Sequence, residues 1–129
     1  MIATTVYRLD LPFTRPPLTD NDRMHHMVKA RKVAELREQV AWLAVAQRLP
    51  RGLEAVNVTF HWAPGSNRRR DVLSAAPTVK PLLDGLVDFG LVPDDDVKHV
   101  QLVTFCIHDW RRGVPAACWL TITPIEGDA

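Results

Sequence analysis

"PTVKPLLDGLVDFGLVPDDD", residues 77–96, decides how this chain reads. Pro77 suits the first turn of a helix and Gly90 suits the left-handed residue that ends one, so the spacing predicts a helix over Ala76–Phe89. Pro81 lacks the N–H that a helix interior needs, which argues for a late helix start. Lys80, Asp84 and Asp88 recur every four residues and share one face; Lys80 with Asp84 reads most simply as a salt bridge along that face. The acidic run "PDDD", residues 93–96, follows the helix where turn formers usually sit.

Outward from this helix the pattern switches to strands. Upstream, "AVNVTFHW" (55–62) places Val56, Val58, Phe60 and Trp62 on one face and Asn57, Thr59 and His61 on the other, a half-buried strand. A polar loop, "APGSNRRRD", joins it to the helix. Further upstream, the stretch from about Met24 to Leu49 carries Val33, Leu36, Val40 and Leu43 at spacings of three and four, one apolar stripe of a longer helix. Asp20, Asn21 and Asp22 are its cap candidates, and Pro50 with Gly52 stops it. "TTVYRLDLPF" reads as a first strand. Downstream, "VKHVQLVTFCI" and "AACWLTITPI" are two more, and the glycine-containing link "HDWRRGVP" predicts an antiparallel hairpin between them. The order β-α-β-α-β-β predicts an α/β (α+β) fold. Residues 1–129 form a single domain in which two helices pack on a mixed four-stranded sheet.

Composition bounds the function. A chain of 129 residues with 47% hydrophobic and 24% charged content is long enough for one real core. The net charge of +1 gives no overall nucleic-acid signature, so any basic footprint must be local. Local clusters exist at Lys29, Arg31 and Lys32, at Arg68, Arg69 and Arg70, and at Arg111 and Arg112. Cys106 and Cys118 sit in apolar strand-like runs and read as buried thiols. Together with His108 they lack the paired spacing of a zinc site. His25 and His26 read as helix-start or surface residues. Trp110, beside Arg111 and Arg112, suits either a stacking platform or a hydrophobic anchor. The start "MIATTVYRLDLPF" soon meets charge and proline, with no signal-peptide or membrane-spanning pattern. The expectation is a cytoplasmic protein of a bacterium or of a phage-infected host, with no membrane partner.

The chemistry-bearing residues fall in "RRRDVLSAAPTVK", residues 68–80, and in the acidic run. A fold bringing Asp71 near Asp94 or Asp95 would pair carboxylates from separate loops. With Arg69 and Lys80 beside them, such a pair could hold Mg²⁺ against a phosphate backbone.

Taken together these stretches resemble the RusA family of Holliday junction resolvases, particularly its phage-encoded branch. The family pattern has an arginine-rich run, Asp-x-Asp-Asn, a lysine, an "LxDGLVxxGLxxDD" helix-and-turn and an acidic pair. Here "RRRD" and "PTVKPLLDGLVDFGLVPDDD" match it, and Asn21, Arg23 and His25 match its "N-x-R-x-H" opening. The resemblance covers nearly the whole chain. It implies a homodimeric, Mg²⁺-dependent endonuclease that binds four-way DNA junctions and nicks two strands symmetrically. Asp71, Asp95 and Lys80 would be its catalytic residues, and Asp71, Asp95 and Asp94 its metal ligands. Arg68, Arg69, Arg70, Lys29, Arg31 and Lys32 would contact DNA.

The chain departs from the pattern at Leu73, where the family has its second aspartate, and at Ser74, where it has asparagine. A hydrocarbon side chain cannot ligate a hard cation, so the departure predicts impaired or absent cleavage on a retained scaffold. Two alternatives stand beside this one: an active junction endonuclease using Asp71 and Asp95 alone, and a repurposed scaffold that binds a protein, such as a host factor.

Overall fold

A computed structural model describes residues 5–20 and 22–125. Six elements follow in order: β1 (Tyr7–Asp10), α1 (His26–Ala46), β2 (Ala55–Ala63), α2 (Ala76–Phe89), β3 (Val100–Ile107) and β4 (Ala117–Ile125). The expected α+β domain is what forms, with two helices over a mixed four-stranded sheet.

The core follows from the alternation and the stripe. On β2, Val56, Val58, Phe60 and Trp62 are buried, while Asn57, Thr59 and His61 face the other side, half-buried. Leu9 of β1 and Leu120 and Ile122 of β4 extend the buried face, and Leu36, Val40, Ala44, Leu82 and Leu86 of the helices close it. Val33 and Leu43 are only partly covered, and the deepest line of α1 runs instead through Leu36, Val40 and Ala44. The two helices approach at Gly85, where an added methyl group would overlap Val40 Cγ1 and the Arg37 carbonyl oxygen. Arg37 also clasps Asp88 through two hydrogen bonds of 2.5 and 2.8 Å.

Sheet order is β1-β4-β2-β3, with β2 and β3 parallel and both β1–β4 and β2–β4 antiparallel. The hairpin expected between β3 and β4 does not form, because β2 lies between them. Helix α2 carries the chain from β2 back to the start of a parallel neighbour, the connection a parallel pair requires. β4 then takes the other side of β2 and pairs along its whole length, Ala55–Ala63 against Ala117–Ile125. Two inter-strand steps are only about 10 Å, which residues 108–116 span easily.

The cap of α1 is the helix-start histidine rather than one of the acidic candidates before it. His25 caps α1, its Nδ1 accepting from Met27 N–H at 3.2 Å. Asp22 instead closes its own turn onto Thr19, and Asn21 lies outside the described residues. Helix α2 spans Ala76–Phe89, the range that Pro77 and Gly90 predict; the later start argued from Pro81 does not occur, and Pro81 lies buried inside the helix. The turns preceding it, Ser74 N–H to Asp71 C=O and Ala76 N–H to Leu73 C=O, feed the chain into the helix without a side-chain cap.

Thr78 is the one fully buried polar side chain among the described core residues. Its hydroxyl donates to Leu18 C=O at 2.7 Å and accepts from Leu18 N–H at 3.0 Å, pinning the proline-rich segment onto α2. Thr78→Val keeps the shape and orphans both backbone groups. It should lower unfolding free energy by about 1–3 kcal/mol in a urea titration. An unchanged midpoint would show that the segment is not held here.

Candidate functional site

The end of β2 and the turns before α2 enclose a cleft of about 490 Å³ lined by Thr19, Trp62, Arg69, Arg70, Asp71 and Ser74. Its placement follows from the chain path: β2 delivers Trp62, the polar loop bends back over it, and Asp71 opens the turns leading into α2. The Trp62 indole N–H is buried with no hydrogen-bond acceptor in the protein.

The arginine run divides by role. Arg70 braces the loop, donating to Arg68 C=O at 2.6 Å and Ser66 Oγ at 2.7 Å and lying over the Trp62 ring at 5.1 Å. Arg68 and Arg69 stay exposed. A neighbouring cleft of about 250 Å³ joins Arg68 and Arg70 to His108, Asp109 and Trp110. Trp110 therefore lies beside the arginine run rather than at a hairpin tip. Lys29 and Arg31 are exposed on α1, and Lys32 lines a separate groove with Pro12, Phe13 and Pro17.

Lys80 reaches two acids at once. It donates to Asp84 at 3.0 Å, the expected pair along the helix, and to Asp95 from the turn after α2. Of the three consecutive aspartates only Asp95 turns this way. Asp94 accepts from Asp95 N–H at 2.7 Å, and Asp96 pairs with His99 Nδ1 at 2.5 Å and accepts from Lys98 N–H at 3.2 Å. Asp94 and Asp96 thus act as turn formers.

The Lys80 ammonium holds the Asp95 carboxyl below its ordinary range, and Asp95 first, then Asp84, push Lys80 above its own. A carboxylate depressed on folding adds stability above its unfolded pKa, and this is lost as pH falls through the folded one. The lysine's contribution is present below its unfolded pKa and lost as pH rises through the raised one. Asp95→Asn should therefore destabilise by less than about 1 kcal/mol near neutrality, since Lys80 is largely exposed. The gap from wild type should close on acidification. A gap that persists in acid would assign the effect to something other than this charge pair.

The carboxylates do not make a ready cage for Mg²⁺. Among the described residues, the group of three potential ligand atoms lying within 4.8 Å of one another contains none of these aspartates. Asp95 is taken up by an ammonium, Asp94 by a backbone N–H, and Asp71 lines a cleft with Arg69 and Ser74. Mg²⁺ demands near-octahedral oxygen donors, so the residues present fit it poorly. Leu73 is 58% exposed on the turn beside Asp71.

Cys118 is buried on the helix side of the sheet, where desolvation pushes its thiol up to about 12. Cys106 lies half-buried on β3, and the two are free cysteines. No helix among the described residues is long and apolar enough to cross a membrane.

The fold and these clefts define a class, an α+β domain presenting a basic, aspartate-bearing cleft where β2 meets α2. No family model and no curated protein matches the chain.

Proposed function

We propose that this protein is a RusA-like scaffold that binds branched DNA as a dimer and has lost most of the Mg²⁺-dependent cleavage of such enzymes. The observation that supports the reading is the meeting of Lys80 and Asp95, fifteen residues apart and both called for by the family pattern, while Leu73 stands where that pattern has an aspartate. The exposed Arg68 and Arg69 supply donors suited to phosphate oxygens at the clefts beside β2. A two-fold protein can address a four-way junction through two equivalent surfaces. Bound Mg²⁺ would polarise the scissile phosphate and activate water; with this residue set that chemistry is weak, and the protein's own contribution is to bind and orient DNA.

Gel shifts of a synthetic four-way junction against linear duplex test the reading. Tighter junction binding, weakened by Arg68→Ala with Arg69→Ala, is expected. Equal, weak, salt-sensitive binding to both would reflect phosphate attraction alone and favour a scaffold that recognises a protein. Efficient symmetric nicking by the unaltered chain, abolished by Asp71→Asn, would instead favour an active endonuclease with a reduced carboxylate set.

A further inference from the structure

On the sheet face away from the helices, β2 and β3 place His61 directly opposite Cys106 in parallel register. His108 follows Cys106 by two residues. All three side chains are half-buried, and their ligand atoms lie within 4.8 Å of one another. His61 Nδ1 is 3.0 Å from His108 Nε2, and Cys106 Sγ is 3.6 Å from the same nitrogen.

We propose that His61, Cys106 and His108 form a binding site for Zn²⁺ or a similar thiophilic divalent cation, with a fourth position open to solvent. Zinc bound tetrahedrally at its usual bond lengths separates two imidazole nitrogens by roughly 3.3 Å and a nitrogen from a thiolate sulfur by roughly 3.6 Å. The observed spacings sit within a few tenths of those values, and the remaining pair needs at most roughly 1 Å of side-chain movement to match. A thiolate with two imidazoles selects zinc-like cations over Mg²⁺.

The surroundings orient the first ligand as metal sites require. His61 Nε2 is 2.9 Å from Thr121 Oγ1 on β4, which leaves Nδ1 to face the other two ligands. Trp119 stacks on the His61 ring at 5.0 Å with planes 2° apart, and Arg8 lies over Trp119 at 4.5 Å. The imidazole is thus held from the side opposite β3. The cation would also tie edge strand β3 to β2, which matters because Leu102 and Val103 of β3 are exposed and lend it little burial.

This site does not depend on the DNA-binding reading, and its test uses no DNA. The untagged full chain, stripped with chelator, is titrated with Co²⁺ as a spectroscopic probe and then with Zn²⁺. One equivalent of Co²⁺ should produce a sulfur-to-metal charge-transfer band and the intense visible bands of a tetrahedral ion, both displaced by Zn²⁺. Cys106→Ser should remove the charge-transfer band, and His61→Ala should weaken binding at least tenfold. His25→Ala with His26→Ala should change nothing. A measurement on the unaltered chain guards against variants that misfold: equimolar Zn²⁺, but not Mg²⁺, should slow alkylation of Cys106 at least tenfold. Absence of the cobalt bands, or alkylation indifferent to zinc, overturns the site.

Discussion

Leu73→Asp combined with Ser74→Asn should convert this protein into a Mg²⁺-dependent junction nuclease, with cleavage rising on the order of a thousandfold or more over the unaltered chain. The argument starts from exposure. Leu73 is 58% exposed and Ser74 half-buried on the turns ahead of α2, so neither substitution disturbs the core. A carboxylate at 73 adds an oxygen donor two residues from Asp71, at the edge of the cleft that Asp71 and Ser74 line. Mg²⁺ commonly binds through one or two carboxylates, waters and the substrate's phosphate oxygens. The assay is nicking of a labelled four-way junction by purified variant and wild type at matched concentration. Gain in the double variant, lost again on Asp71→Asn, is the expected pattern. No gain, with folding intact, would mean that the site differs beyond these two positions and that the family reading of it fails.

Gly85→Ala should cost about 1–2 kcal/mol of stability, the reverse of what helix propensity alone predicts. In an open helix interior the same change stabilises by roughly 1 kcal/mol, because glycine surrenders more backbone freedom on folding. Here an alanine Cβ would overlap Val40 Cγ1 and the Arg37 carbonyl oxygen at the α1–α2 crossing. The valine methyl can rotate away, but the carbonyl belongs to α1 itself, so the helices must separate and lose packing. Overpacking of this kind costs about 1–3 kcal/mol and sometimes more, which outweighs the propensity gain. Urea unfolding decides it by sign: an alanine variant as stable as wild type would mean the crossing is looser than the backbone places it. The Arg37–Asp88 clasp beside the crossing should not rescue the variant, since both partners are largely exposed.

Much of the fold was legible because its signals are local. The alternation along Val56–Trp62, the stripe through Leu36 and Val40, and the glycine after Phe89 each report one element's own periodicity. Which strand lies beside which was not legible. The Gly113 link resembled a hairpin connection, yet β2 stands between the strands it joins, because pairing is settled by which ladders bury the most apolar surface together. The bounds Ala76–Phe89 of α2 were legible from Pro77 and Gly90, but the later start argued from Pro81 does not hold. Pro81 weakens a helix taken alone, but here its ring is buried against neighbours that offset the missing N–H.

The candidate sites divide in the same way. Sequence alone marked Lys80, Asp95 and Asp71 as chemistry-bearing and Leu73 as the position out of pattern. The tertiary structure shows how the three adjacent aspartates divide: Asp95 turns to Lys80, while Asp94 and Asp96 turn to the backbone and to His99. The zinc-type cluster escaped the sequence because His61 lies 45 positions before Cys106 and no local spacing links them. Cys118, the other thiol, points to the opposite face of the sheet, into the core. Periodicity fixes which face a residue takes on its own strand, so the elements and their inward faces were set by the sequence. Parallel register between β2 and β3 is a property of the whole packed sheet, and that register alone brought His61, Cys106 and His108 together.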